Sequence, residues 1–252
     1  MRILAVETAT RTGSWALIDD TGIAGAAEGD GTVPHDVRLP QALIDLLALH
    51  GLSLRDVDLF AVATGPGSFT GLRVGIAGVQ GLAMATGTQV VPIPTLDAIA
   101  HDAASDPAAN GLDYVAAWLD GQRGEIFAAL YAVRRQPGGD AAGAAVPGLL
   151  MPPQVGLPSV LGAEIADLIG DARAGFAGDG AHRYRDVIDT LGLREARLFP
   201  IRPIAPALAR LAWQRRDAAV APHAVVPVYV RRPDAELARD RARSDPREPS
   251  AQ

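Results

Sequence analysis

Between positions 71 and 85 the chain reads Gly71-Leu72-Arg73-Val74-Gly75-Ile76-Ala77-Gly78-Val79-Gln80-Gly81-Leu82-Ala83-Met84-Ala85. The apolar spacing is helical, yet glycines stand inside it at 75, 78 and 81. Each interior glycine costs a helix about 1 kcal/mol relative to alanine. Something must offset that cost, and the close approach of another backbone is the usual reason. Gly71, Gly75 and Gly78 share a face by their i, i+4, i+7 spacing, beside a stripe of Leu72, Ile76 and Val79. Arg73 is the only formal charge in the segment.

A second helix expected over Leu39 to His50 poses the same question. Leu39, Leu43, Leu46 and Leu47 would suffice for one buried face, but Ile44, Ala48 and Leu49 carry the apolar surface around the cylinder and leave Gln41 and Asp45 as its main polar positions. A helix apolar on more than one face is covered on more than one face. The cover could come from the chain's own sheet and later helices. Two such helices in one third of the chain favour a bundle shared with a second molecule.

The rest of the first third reads as short strands at Ile3–Glu7, Ser14–Asp19 and Gly22–Glu28, a polar loop over 29–37, a buried strand at Leu59–Ala63, another at Gln89–Ile93, and a helix to Ala104 that Thr95 can cap. An antiparallel opening followed by strand–helix alternation predicts an α/β fold with a sheet of mixed direction. Further on, Tyr114–Asp120 and Glu125–Val133 form a hairpin, and Gln136–Pro153 is a Gly/Pro/Ala-rich loop with at most one strand. Ala174–Ala177 is a strand ending in Gly178-Asp179-Gly180, with helices expected at Ala181–Leu191 and Pro206–Asp217. The segment 232–252 is charged, rich in proline and poor in large apolar residues, and reads as a disordered tail. No internal repeat is visible.

At 252 residues the chain buries enough surface to fold without staples. The absence of cysteine removes disulfides, thiolate nucleophiles and zinc ribbons together. A net charge of −6, with arginine supplying all 23 basic residues, argues against a large nucleic-acid footprint. An early charge at Glu7 and the lack of any run of about 20 apolar residues predict a cytoplasmic protein with no membrane contact.

The glycine loop Gly65-Pro66-Gly67-Ser68-Phe69-Thr70-Gly71 has the outline of a phosphate loop before a helix. Yet the P-loop pattern needs a lysine and the chain has none. The dinucleotide fingerprint is over-spaced by one residue, and Pro66 and Thr70 occupy the glycine positions of a nucleophile elbow around Ser68. A tight turn with Ser68 or Thr70 capping the helix is the simpler reading. The five histidines, His35, His50, His101, His182 and His223, include no pair at metal-ligand spacing. His35 is read as a hydrogen-bonding group at a helix entrance, and Asp120, Arg123 and Glu125 as charges on a solvated turn. Glu7 is a lone carboxylate that could face a cleft. Nothing assembles into an active site.

Several of these segments resemble the TsaB (YeaZ) family, which serves the bacterial tRNA threonylcarbamoyladenosine machinery. The carrying residues are Ile3-Leu4-Ala5-Val6-Glu7-Thr8-Ala9-Thr10, His35-Asp36, and above all Ala63-Thr64-Gly65-Pro66-Gly67-Ser68-Phe69-Thr70-Gly71-Leu72-Arg73-Val74-Gly75. Weaker echoes are Asp120-Gly121-Gln122-Arg123-Gly124-Glu125-Ile126-Phe127 and Pro227-Val228-Tyr229-Val230-Arg231. The resemblance is strong over about the first hundred residues and loose beyond.

It implies an α/β, two-lobed actin-like ATPase fold (ASKHA, ribonuclease H-like) with mixed sheets flanked by helices. Residues 1–105 would form a lobe carrying the partner helices, 106–231 a second lobe, and 232–252 the tail. It also implies a non-catalytic subunit without a cofactor that pairs with the transferase TsaD, or with itself when alone. The ATPase TsaE would bind near that junction, and tRNA would be reached only through the complex. TsaD holds a metal with a His-x-x-x-His pair. Here His35 is followed four residues later by Leu39, so no metal is expected. The implied interface comprises Leu39, Leu43, Leu46, Leu47, His50, Gly71, Leu72, Arg73, Gly75, Ile76, Gly78, Val79 and Leu82, so Gly75→Arg or Leu46→Asp should break the complex and spare the fold. Weak nucleotide or anion contacts would fall to Glu7, Gly67, Ser68 and Thr70. Glu7 in place of the family's aspartate, Asp36 in place of serine, and Gly121-Gln122 in place of Ala-Arg weaken that last expectation. The alternative is an active nucleotide-dependent enzyme of the same superfamily, with its ligand between Glu7 and Gly178-Asp179-Gly180.

Overall fold

The structure, a computed structural model, describes residues 1–134 and 146–231. The expected tail at 232–252 and positions 136–145 of the Gly/Pro/Ala-rich loop lie outside the described residues.

Strands β1 (Ile3–Glu7), β2 (Ser14–Asp19) and β3 (Gly22–Glu28) run as an antiparallel meander. Helix α1 (His35–Leu49) leads to β4 (Leu59–Gly65), α2 (Phe69–Thr86), β5 (Gln89–Pro94) and α3 (Thr95–Ser105). The second half repeats the order: β6 (Tyr114–Asp120), β7 (Ile126–Arg134) and β8 (Val146–Gly156), then α4 (Pro158–Ile169), β9 (Arg173–Ala177), α5 (Asp179–Arg183), α6 (Arg185–Asp189), β10 (Glu195–Leu198) and α7 (Ala205–Gln214). The sheets are ordered β3-β2-β1-β4-β5 and β8-β7-β6-β9-β10, with the same pairs antiparallel and the same pairs parallel in each. These are two five-stranded mixed sheets flanked by helices, the arrangement the resemblance implies. The halves are duplicates in structure although no repeat is visible in sequence.

Both faces of each sheet are covered, so the central strands are apolar throughout and alternate in which core they serve. Leu4 and Val6 pack with Leu39, Leu43, Ile76 and Val79 under α1 and α2. Ile3 and Ala5 point the other way, into a core shared with Val115, Ala117 and Leu119 of the second sheet and with α3 and α7. Trp118, Phe176 and Leu130 fill the outer core under α4. The result is five layers, helix–sheet–helix–sheet–helix. The middle layer is exchanged: α3, which follows the first sheet, lies on β6 and β8, and α7, which follows the second, lies on β1 and β2.

Several elements differ from the sequence reading. Helix α1 starts at His35, inside the expected polar loop, and carries Pro40 within it. Ser68 caps α2 by accepting from the Gly71 amide at 3.2 Å, and Gly87 ends that helix in the left-handed conformation. Thr95 does not cap α3: it is the helix's first residue, and its buried hydroxyl has no partner among the described residues. Helix α4 and strand β10 were not anticipated, and the helix expected over 181–191 is broken at Tyr184 into α5 and α6.

Candidate docking surface and interlobe cavity

Helices α1 and α2 lie side by side on the outer face of the first sheet. Leu39, Leu43, Leu46, Leu47, Leu72, Ile76 and Val79 are each at most 5 % exposed and fill the space beneath them. Gly71 and Gly75 are buried as well. These nine positions, expected at a partner interface, are enclosed by the chain's own sheet. Leu82 is half-buried, and His50, Arg73 and Gly78 are exposed. Gly75→Arg and Leu46→Asp would therefore disrupt the fold itself, because each places a charge in a filled core. The surface left open is the opposite flank. It carries Val37 at 68 %, Ile44 at 48 %, Leu49 at 82 % and Met84 at 70 % exposure, with Ala48, Ala77, Gly78, Gly81 and Ala85 between them.

The glycines divide in the same way. A Cβ on Gly71 would sit 2.1 Å from the Thr8 carbonyl oxygen, and one on Gly75 would sit 2.1 Å from the Thr8 hydroxyl. Thr8 donates that hydroxyl to the Gly71 carbonyl at 2.8 Å. The end of β1 is thus the backbone that approaches α2 closely. Gly78 has only an ordinary neighbour, Leu39, at 3.8 Å, and Gly81 has nothing within 4 Å. Among the described residues nothing offsets their helical cost.

The glycine loop is turned onto its own molecule. The Ser68 amide donates to the Ala9 carbonyl at 2.8 Å, and Gly67 is pressed so closely on Ala9 that a Cβ there would collide. Of the four expected anion contacts, only Glu7 lines the cavity between the lobes. Gly67, Ser68 and Thr70 are absent from its walls.

That cavity, of about 210 Å³, is walled by Glu7, Ser14, Ile99, Leu119, Gly178, Asp179, Phe199 and Ile204 among others, with Arg11, Glu28, Asp102 and Arg202 also lining it. Glu7 is buried. Its carboxylate accepts from the Thr10 amide at 2.6 Å, the Thr10 hydroxyl at 3.0 Å and the Ser14 hydroxyl at 3.0 Å. Burial still pushes its pKa above the usual carboxylate range, against the lowering effect of those hydrogen bonds. Asp179 is raised for the same reason, with the Asp120 carboxylate as a further contributor, while its Oδ1 accepts from the Asp120 amide at 2.8 Å. The cavity therefore joins Glu7 and Asp179, as the nucleotide alternative supposed, but its inner charge is acidic. Arg202 is paired with Asp102 and Asp106. Among the described residues no group of three or more His, Cys, Asp or Glu could hold a metal ion.

Ser14 also ties the lobes together, because its Oγ accepts from the Ala205 amide at the start of α7 at 3.0 Å. Ser14→Ala would leave that buried amide unpaired and take a donor from Glu7. We expect a loss of about 1–3 kcal/mol in urea unfolding, with an unchanged m-value.

Beyond α7 the chain crosses back as a strap. The Val228 amide donates to the Thr64 carbonyl at 2.7 Å. Tyr229 stacks on Phe69 with ring centroids 4.8 Å apart and accepts from Arg73 Nε at 2.9 Å. Arg231 donates to the Gly121 carbonyl at 2.7 Å and pairs with Glu125. At the 120–125 tip Gln122, Arg123 and Gly124 are exposed, as read from sequence, while Asp120 and Glu125 are held by partners. Asp120 is largely buried, bound by Arg183 and by the amide of Gln122, and Gln122 and Arg123 both hold positive φ.

The sequence profile of the family described as "TsaD: tRNA N6-adenosine threonylcarbamoyltransferase" matches residues 27–167, more than half of the chain. Curated relatives named tRNA threonylcarbamoyladenosine biosynthesis protein TsaB are 38 % identical over 131 residues in Escherichia coli and 35 % over 130 residues in Haemophilus influenzae. The solved structure of YeaZ from Pseudomonas aeruginosa superposes with a TM-score of 0.71 at 28 % identity, covering 90 % of this chain and 99 % of that one. The chain belongs to the TsaB (YeaZ) family. The two curated matches cover 52 % and 50 % of this chain and 55 % and 52 % of the relatives, so the chain spans about half the length of the curated relatives it matches.

In this TsaB-family chain His35 has the role read from sequence: its Nε2 lies 3.0 Å from the Thr10 carbonyl and ties the start of α1 to the β1–β2 turn. The sequence reading missed the exposed flank as distinct from the buried stripe, and it missed the strap. The only available signal for the strap was the short Pro227–Arg231 echo. No helix among the described residues is long and apolar enough to cross a membrane.

Proposed function

We propose that this chain is a non-catalytic subunit supporting threonylcarbamoyladenosine modification of tRNA, docking on the transferase TsaD through α1 and α2. One observation carries the reading: the two helices keep large apolar side chains outside, Val37, Ile44, Leu49 and Met84, beside glycines whose cost no described residue offsets. Large exposed apolar side chains gathered on one face mark protein contacts, and open glycines allow a partner helix to approach closely. That a TsaD profile matches this chain supports two related folds meeting through equivalent helices. About 800 Å² per partner would be ordinary for such a contact. TsaE would bind near the junction, tRNA would be held by the complex, and the lone chain would pair with itself through the same flank, in the cytoplasm.

The cavity supports the non-catalytic part. At about 210 Å³ it falls below the usual 300–1,000 Å³ of ligand sites, and the buried Glu7 and half-buried Asp179 carboxylates oppose a phosphate chain. The enzyme alternative rests on the meeting of Glu7 and Asp179 in that cavity. Calorimetry of the lone chain with ATP and magnesium separates the readings, since tight binding with turnover would favour the enzyme.

For the docking reading, Ile44→Asp combined with Met84→Asp changes only exposed side chains. Gel filtration with TsaD of the same organism should show the unaltered chain co-eluting and the double variant eluting alone. The variant's thermal midpoint should be unchanged and its affinity at least about 100-fold weaker. Co-elution of the double variant would refute this docking face.

A further inference from the structure

Arg73 sits at the edge of the exposed flank of α2, and its conformation is set by the strap. Its guanidinium carbon lies 3.9 Å from the Phe69 ring centroid and 5.8 Å from that of Tyr229. Its Nε donates to the Tyr229 hydroxyl at 2.9 Å. Tyr229 is itself pinned on both sides, by Val228 on Thr64 and by Arg231 on Gly121. Among the described residues neither terminal nitrogen of Arg73 has a hydrogen-bond partner, and Arg73 stands in no ion pair with a carboxylate. A long side chain normally gives up rotamer freedom when it binds. Here the rings and the hydroxyl have already restricted it, so the planar fork is held ready in front of the surface.

We propose that Arg73 is a preset receptor for a carboxylate side chain of the partner protein, the residue that selects the partner and its register on α2. This rests on the docking reading above and names the chemistry that the opposing surface must supply. The flank of α2 beside Arg73 is apolar or small, with Ala77, Gly81 and Met84. The matching surface is therefore apolar with one acidic side chain facing the fork, which a carboxylate can engage through two parallel hydrogen bonds. Aromatic and arginine side chains of this kind are the ones that most often dominate interface energetics. An RNA phosphate backbone is the poorer fit: Arg231, the neighbouring cation on the strap, is spent on Glu125 and Gly121, and the chain's net charge is −6. A single guanidinium does not hold a polyanion at physiological salt. Tyr229 is a positioning residue here, acting through Arg73.

The test measures binding of the full chain to TsaD of the same organism at low and moderate salt, for the unaltered chain and for Arg73→Gln, Arg73→Lys, Tyr229→Phe and the Ile44→Asp/Met84→Asp double variant. Arg73→Gln should weaken binding about 10- to 100-fold and flatten its salt dependence. Arg73→Lys should fall between, keeping the charge and losing the fork, and Tyr229→Phe should lose less than Arg73→Gln. Arg73→Glu should be rescued by Lys in place of one acidic residue on TsaD. Unchanged affinity of Arg73→Gln, alongside lost binding of the double variant, overturns the carboxylate receptor and leaves the docking reading standing. No binding of TsaD by the folded, unaltered chain overturns both. Retention of tRNA by the lone chain that disappears in Arg73→Gln overturns the proposal in favour of a phosphate ligand.

Discussion

Gly71→Ala is expected to lower the thermal midpoint, by up to roughly 8 °C, whereas Gly81→Ala, ten residues along the same helix, should raise it. Alanine is the better helix former by about 1 kcal/mol at either position, so propensity alone predicts the same gain twice. The surroundings decide the sign. The new Cβ at position 71 would lie 2.1 Å from the Thr8 carbonyl oxygen, a backbone atom at the end of β1 that cannot move without disturbing the paired strands β1, β2 and β4. It would also strain the bond from the Thr8 hydroxyl to the Gly71 carbonyl. Overpacking of this kind costs about 1–3 kcal/mol and sometimes more, enough to exceed the propensity gain. In a domain of this size each kcal/mol moves the midpoint by about 2–4 °C. At position 81 no described residue lies within 4 Å, and the propensity gain stands alone. Differential scanning calorimetry of both variants checks the pair, and a rise for Gly71→Ala would refute the close approach of β1 to α2.

The second large effect concerns pH. His101 lies in α3, fully buried between the lobes, with its Nδ1 unpartnered. Burial above all, then the charges of Arg210 and Arg215 on α7, depress its pKa from 6.5 to about 4. Around it stand Gln214, whose amide lies 3.4 Å from Nε2, and the Asp97–Arg215 ion pair at 2.9 Å. The unfolded chain therefore binds a proton that the folded chain refuses between pH 6.5 and about 4. Stability present above pH 6.5 is lost progressively as the pH falls through that window, with an upper bound of about 3 kcal/mol. Glu7 and Asp179 act in the opposite sense. Their raised folded-state values mean that the native protein binds protons more readily than the unfolded chain, and that part favours folding as the pH falls. Comparison with His101→Gln isolates the histidine: the difference in unfolding free energy between the two proteins should shrink from pH 7 to pH 4.5. A difference independent of pH would refute the assignment.

The contrast between Gly71 and Gly81 also marks where sequence reading reaches its limit. Local chemistry was legible: the strand–turn–helix around Gly65–Gly71, the Ser68 cap, the hydrogen-bonding role of His35, and the run of strands and helices through the first hundred residues. Periodicity shows which positions are apolar but not which molecule covers them. For that reason Leu39, Leu43 and Ile76 are expected at a partner although the first sheet encloses them, while Ile44 and Leu49, read as a second apolar face of their helix, and Met84 stay outside and are absent from the expected interface. The reason for Gly71 and Gly75 lies at Thr8, more than sixty positions upstream, and the reason for the pose of Arg73 lies at Tyr229, 156 positions downstream. Helix α4 follows directly on a strand whose Met151-Pro152-Pro153 stretch reads as loop, and β10 has only four residues, too short for alternation to register.

The exchanged middle layer has a consequence for how the molecule can be taken apart. Because α3 lids the strands that follow it and α7 lids the strands that precede it, neither half owns the cover of its own inner face. A chain severed at the Ser105–Pro107 connection would yield one piece lacking α7 over β1 and β2, and another lacking α3 over β6 and β8. The two lobes are tenons cut for each other's mortises, so the fold comes undone as one joint rather than as two separable blocks.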